Sequence, residues 1–157
     1  MKPIKFNDLS SCLKQIENIS EKEIVEKKDD IMKKISPTII IAEDIILNMI
    51  LIESLLKKIM PKAKIIKAIN GLEVIEKMNK EVNLILMDIQ MPEMDGIEAA
   101  KIIRENKEYE KTPILALTAG VTQKDKEICM ESGMNDFLSK PLVLKDLTKM
   151  IKKYILK

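Results

Sequence analysis

The chain has 157 residues with 27 basic and 25 acidic side chains, a formal charge of +2 and 3% aromatic residues. It is long enough for one domain and an appendage, but it lacks both the positive field and the stacking rings that nucleic-acid binding draws on. Histidine is absent, and Cys12 and Cys129 form no CxxC pair, so the usual zinc ligand sets cannot be assembled and a reduced, cytoplasmic protein is expected.

The opening MKPIKFNDLSS lacks the apolar core of a signal peptide, and no run approaches the ~18 apolar residues of a membrane span. Residues 1–36 read as a helical extension or linker in two pieces of mixed charge. Phe6, Leu9, Leu13 and Ile16 form a brief apolar stripe, too short for a coiled coil, and Ser20 with Glu23 makes a capping box that starts the second piece. Such a segment suits a tether or docking helix pair as well as a dimerisation element. Ser36-Pro37 marks a boundary, because the residue before proline is pushed out of helical space, and a domain over residues 37–157 follows.

From Thr38 onward short apolar runs alternate with helical patterns, the signal for a parallel sheet wrapped by helices. Strands are expected at Thr38 to Ala42, Ala63 to Ala68, Val82 to Met87, Pro113 to Leu117 and Asp136 to Leu138. The first and third are nearly continuous Ile, Leu, Val and Met, as strands covered on both faces should be. Helix starts are marked by Asn70 with Glu73, Asp95 with Glu98 and Thr122 with Asp125, each a short polar residue three before an acid. Pro61 and Gly133 punctuate helix ends. The last helix, about Leu144 to Leu156, sets Leu147, Met150, Ile151, Tyr154 and Ile155 against Lys145, Lys149, Lys152 and Lys153, which read as a solvated face.

Three acids fall at strand ends: Glu43 and Asp44 after the first and Asp88 after the third. In an open doubly wound sheet, functional groups gather beyond the carboxyl ends of the strands where strand order reverses, which for order 2-1-3-4-5 lies between the first and third strands. One acid at a strand end is as readily a helix cap; three converging acids are not. Two like charges ~4 Å apart repel by about 4 kcal/mol at an effective dielectric near 20, so either a carboxyl holds a proton or a cation binds. An all-oxygen cluster suits a hard divalent ion such as magnesium. Thr118 and Lys140, closing the fourth and fifth strands, would add a hydroxyl and an ammonium, and with the acids they form a cradle for a tetrahedral anion.

The ordered motifs AED at 42–44, LILMDIQMPEMDG at 84–96, LALTA at 115–119 and DFLSKP at 136–141 resemble the receiver domains of two-component response regulators, from about Ile39 to Leu156. The resemblance implies a flavodoxin-like, doubly wound, five-stranded parallel sheet of order 2-1-3-4-5 with helices on both faces. It implies Asp88 as the phosphoacceptor, and magnesium or manganese held by Asp44, Asp88 and the Gln90 backbone carbonyl, with Glu43 acting through water. Thr118, Lys140 and the Ala119 backbone N–H would bind the phosphoryl oxygens. Phe137 would be the aromatic switch paired with Thr118, and Lys140-Pro141 a cis bond. Ile45 and Gly120 depart from the common pattern, where Asn and a larger residue are frequent.

The implied role is that of a signalling phosphoacceptor in a two-component or phosphorelay pathway, which assists its own phosphotransfer and autodephosphorylation without being an enzyme in the ordinary sense. Since the chain contains no histidine, the phosphohistidine donor must be another protein or domain, a histidine kinase or a histidine phosphotransfer domain. The stretch LTAGVTQKDKEICMESGMNDFLSKP is similar to receivers fused to hybrid histidine kinases. A phosphorylation-independent docking module is the alternative. An aspartyl phosphatase would need a second acid where Gln90 stands, and acids after the first strand would repel a flavin phosphate.

Overall fold

The computed structural model describes residues 21–120 and 122–156. In chain order these give helix α1 (Glu21–Lys34), β1 (Thr38–Ala42), α2 (Ile46–Ile59), β2 (Lys64–Ala68), α3 (Gly71–Lys77) and β3 (Val82–Asp88). Then come α4 (Gly96–Glu105), a 3-10 turn (Lys107–Tyr109), β4 (Ile114–Thr118), α5 (Gln123–Glu131), β5 (Asp136–Ser139) and α6 (Leu144–Ile155). The five strands form one sheet in the order β2-β1-β3-β4-β5, and every neighbouring pair is parallel. The order reverses at β1/β3, the place expected from the strand-end acids.

Successive side chains on a strand point to opposite faces, and here both faces are covered. Ile39, Ile41, Leu84, Leu86, Leu115 and Leu117 pack with α2 and α6. Ile40, Ala42, Ile85, Met87, Ile114 and Ala116 pack with α3 and α4. This two-sided burial is why β1 and β3 read as unbroken apolar runs rather than alternating ones.

Strand ends shift by a residue from the expected bounds, for local reasons. Ala63 belongs to the turn before β2, its N–H donating to Met60 O at 3.0 Å and its carbonyl accepting from Lys57 Nζ at 2.6 Å. Pro113 has no N–H to give, so it offers only its carbonyl to Ile85 N at 3.0 Å and β4 begins one residue later. At their other ends β3, β4 and β5 each run one residue further, to Asp88, Thr118 and Ser139.

The three expected caps are present. Asn70 Oδ1 accepts from Glu73 N at 2.9 Å, Asp95 Oδ1 from Glu98 N at 2.8 Å, and Thr122 Oγ1 from Asp125 N at 3.1 Å. Only Thr122 and Asp125 close a reciprocal box. Glu73 reaches one residue further back, accepting from Ile69 N at 2.8 Å. The Phe6 to Ile16 stripe and Ser20 of the proposed capping box lie outside the described residues.

The lysine face of α6 is solvated except at Lys152. Lys145, Lys149 and Lys153 are exposed as expected, Lys153 also pairing with Asp136 at 3.0 Å, but Lys152 is largely covered and pairs with Asp29 of α1 at 2.7 Å. The Asp29 contact accompanies burial of Met32, 1% exposed, in the cluster that holds Leu56, Ile59, Leu147 and Ile151. Helix α1 therefore packs on the α2/α6 face. Among the described residues no helix is long and apolar enough to cross a membrane.

One side chain of α4 ties together two loops, the α4–β4 and α5–β5 connections. The Arg104 guanidinium donates to Gly133 O at 2.8 Å, Tyr109 O at 2.6 Å, Thr112 O at 2.7 Å and Asn135 Oδ1 at 2.8 Å. Hydrogen bonds involving a charged group contribute about 1.5–3 kcal/mol each where both partners are buried, and less where water can replace them. Arg104→Met keeps the stem and removes all four, and is expected to cost about 2–3 kcal/mol in total, since water reaches part of the site. The check is a fall in the urea midpoint at unchanged slope; an unchanged midpoint would show that the four acceptors are equally well served by solvent.

Candidate functional site

The crest at β1/β3 is built by strands that end with acids. Glu43 leaves β1 with its N–H donating to Ala68 O at 3.0 Å, which fixes it beside the β2 end, and its side chain is turned inward and buried. Asp44, next along, is exposed. Asp88 is the last residue of β3 and is buried, paired in register with Leu117. One carboxylate oxygen from each of Glu43, Asp44 and Asp88 falls within 4.8 Å of the others.

Lys140 enters this cluster from the end of β5, its N–H held by Thr118 O at 2.8 Å. Its Nζ lies 2.9 Å from Glu43 Oε2 and 2.9 Å from Asp88 Oδ2. The remaining oxygens take backbone donors: Glu43 Oε1 accepts from Ile45 N at 3.2 Å, and Asp88 Oδ1 from Gln90 N at 3.2 Å. Burial, the largest influence on Lys140, pulls its pKa down, but the hydrogen bonds and charges of Glu43 and Asp88 together outweigh it and hold the pKa above 10.5. One ammonium, paired with the two buried carboxylates, thus stands in a cluster of three. The remaining negative charge and the all-oxygen donor set fit a hard divalent cation reaching the cluster from the Asp44 side.

The acids open into a cleft of about 700 Å³ lined by Asp44, Asp88, Gln90, Thr118, Ala119 and Lys140. All the polar residues singled out from sequence for anion and metal binding thus meet in one place. Glu43 differs in detail: it contacts Lys140 directly, a pairing the sequence did not suggest. Thr118 lines the cleft, yet its hydroxyl donates to Gly120 O at 2.7 Å and accepts from Gly120 N at 3.3 Å, so it is committed to its own loop. Phe137 stands back from the cleft, half-buried against the second core cluster. The Lys140-Pro141 peptide is cis.

Two contributors were not legible beforehand. Asp125, read only as a helix cap, also lines the cleft. Gly96, which opens α4, lets the helix approach the acid: a Cβ there would stand 2.3 Å from Asp88 O. No spacing rule flags either, because each depends on how α4 and α5 lie against the sheet.

Comparison with known proteins agrees with this geometry. The family described as response regulator receiver domain matches residues 39–152. Hybrid signal transduction histidine kinase G of Dictyostelium discoideum is 41% identical over 78% of this chain, and the chain spans 4% of that protein's length. The receiver domain of sensor histidine kinase PA1611 from Pseudomonas aeruginosa, with a magnesium ion coordinated in its active-site cleft, superposes with TM-score 0.71 at 30% identity, covering 78% of this chain and all of that one. The receiver domain of Saccharomyces cerevisiae Ssk1, solved with the histidine phosphotransfer protein Ypd1, gives TM-score 0.67 at 36% identity over 76% of this chain and 88% of that one.

Proposed function

The chain belongs to the response regulator receiver domain family, and from that premise we propose that its crest accepts a phosphoryl group on Asp88 from a phosphohistidine. The observation that carries this is the convergence of Glu43, Asp44 and Asp88 with Lys140 over a cleft wide enough for a tetrahedral anion. An Asp88 carboxylate oxygen forms the new bond to phosphorus as the bond from phosphorus to the imidazole nitrogen breaks, and the imidazole leaves with the electron pair. The Lys140 ammonium meets charge on the transferring oxygens, and the Thr118 hydroxyl, once released from Gly120, and the Ala119 N–H would donate to them. Asp44, Asp88 and the Gln90 carbonyl would hold magnesium or manganese, with Glu43 acting through water; when bound, that ion offsets charge on the phosphoryl group. Water later hydrolyses the acyl phosphate, with these same side chains assisting.

Because the chain has no histidine, its donor is a separate protein or domain. A histidine kinase or histidine phosphotransfer domain fits, and the co-crystal of the Ssk1 receiver with Ypd1 supports the second form of partner. Within this reading residues 37–157 are the receiver and residues 1–36 a helical extension or linker, as in a hybrid kinase, and the domain works in the cytoplasm. Phosphorylation draws the Thr118 hydroxyl from its loop toward the phosphoryl group and lets the Phe137 ring move into the space beside it.

Incubating the chain with acetyl phosphate and magnesium tests the proposal. Intact mass spectrometry should register one added phosphoryl group per chain, absent from Asp88→Asn and from samples treated with a chelator. No Asp88-dependent gain would favour a docking module that works without phosphorylation.

A further inference from the structure

The first turn of α5 touches two places at once. Asp125 lines the acceptor cleft, and Lys126 sets its ammonium 4.9 Å from the centroid of the Phe137 ring. The turn is tied by several hydrogen bonds at this point. Thr122 and Asp125 cap it reciprocally, Thr122 Oγ1 donates to Asp125 Oδ2 at 2.7 Å, and Lys126 N donates to Thr122 O at 3.1 Å. Phenylalanine has no hydroxyl, so its ring is placed by packing and by what covers its face; it packs, partly buried, against the second core cluster and carries the lysine ammonium over its ring.

We propose that Lys126 is a positioning residue for phosphoryl acceptance, acting through Phe137: its cation holds the ring in the resting position observed and so weights the switch against the phosphorylated state. The proposal rests on the acceptor reading given above. A cation over an aromatic face stabilises only the conformation that keeps them together. If the ring moves toward Thr118, the contact is lost, and whatever it contributed must be supplied by the phosphoryl group. Removing the charge therefore raises affinity for a phosphoryl mimic by no more than the worth of the contact, about two- to five-fold for a partly exposed pair. Thr118 fits this account, since its hydroxyl is bound to Gly120 and not to the acids while Lys126 covers the ring.

The test uses the full chain, in which Phe6 and Phe137 are the two phenylalanines, so Phe6→Leu assigns the Phe137 resonances. Lys126→Met keeps the apolar stem and removes the cation; Lys126→Arg keeps a cation able to stack. Lys126→Met is expected to move the Phe137 ring resonances in the unliganded chain and to bind beryllofluoride with magnesium about two- to five-fold more tightly, while Lys126→Arg stays at wild-type values in both. Unmoved resonances, unchanged affinity in Lys126→Met, or Lys126→Arg behaving like Lys126→Met would each overturn the proposal. If no chain, wild type included, binds beryllofluoride, the acceptor reading fails instead. The ring resonances then decide alone, their movement in Lys126→Met supporting the hold on the ring and their constancy refuting it.

Discussion

Lys140→Met is expected to lower stability by about 2–3 kcal/mol and phosphoryl uptake at Asp88 by about 10²–10³-fold. The Lys140 ammonium lies 2.9 Å from both Glu43 and Asp88, whose side chains are 0% and 7% exposed. Removing one partner of a buried ionic group leaves the others uncompensated, a loss of about 3–5 kcal/mol when burial is complete. Lys140 itself keeps some contact with solvent, 22% of its side chain, which reduces that figure. The uptake loss is separate, since the same ammonium would meet the transferring oxygens.

A double-mutant cycle isolates the cause. Adding Asp88→Asn to Lys140→Met removes one of the two stranded charges and should recover part of the lost stability. If it recovers none, the ammonium is not compensating Asp88. Magnesium should likewise narrow the gap between Lys140→Met and wild type, because a cation in the cluster takes over the compensation. The pH dependence has a definite sign. The folded pKa of Lys140 is raised above the ordinary 10.5, so its contribution is fully present at every pH below the unfolded value and is lost only as pH rises through the higher folded one. Urea midpoints should show the Lys140-dependent stability unchanged from neutral pH up to about 10 and shrinking beyond it.

Gly96→Ala is the second large effect, and its origin is steric. Gly96 donates its N–H to Ile89 O at 2.9 Å, and a Cβ at this position would meet Asp88 O at 2.3 Å and Met87 Cγ at 2.9 Å. Met87 could turn aside, but the Asp88 carbonyl is part of the β3 backbone, which pairs with β4 through Ala116 and Leu117. Overpacking of this kind costs about 1–3 kcal/mol, and the upper end applies because the obstacle is main chain. Relief can come only by moving α4 or the end of β3, and the latter carries Asp88. Phosphoryl uptake should therefore slow as well, in line with the ~10²-fold penalty for an ångström of misplacement. Gly120→Ala is the comparison: a Cβ there meets nothing within 4 Å, and the unfolding free energy from urea titration should stay within about 0.5 kcal/mol of wild type. Equal behaviour of the two alanine variants would mean that α4 has room the structure does not show.

Much of the fold could be read along the chain because its determinants are local. Unbroken apolar runs mark strands covered on both sides, and Asn70, Asp95 and Thr122 cap helices by bonds that span three residues. The position of Glu43, Asp44 and Asp88 at strand ends, with the reversal of order at β1/β3, was enough to anticipate a shared site. Where strands shifted by a residue, the cause was also local: a turn carbonyl at Ala63 and the missing donor of Pro113.

Other features depended on distance along the chain. Lys140 meets Glu43 across 97 positions and Asp88 across 52, and sequence placed all three at the crest without indicating which carboxylate oxygens the ammonium would take. Lys152 looked like one of four solvated lysines until α1 packed against α6 and brought Asp29 to 2.7 Å. Arg104 reads as an ordinary charge late in a helix, yet it serves four acceptors in segments that only folding brings under it. Periodicity and capping express the energetics of a few neighbouring residues, so sequence alone settled which segments are strands and helices and which acids stand at the crest. Which charges are paired, which glycine must stay bare and which cation covers Phe137 depend on packing between segments, and those only the tertiary structure decided.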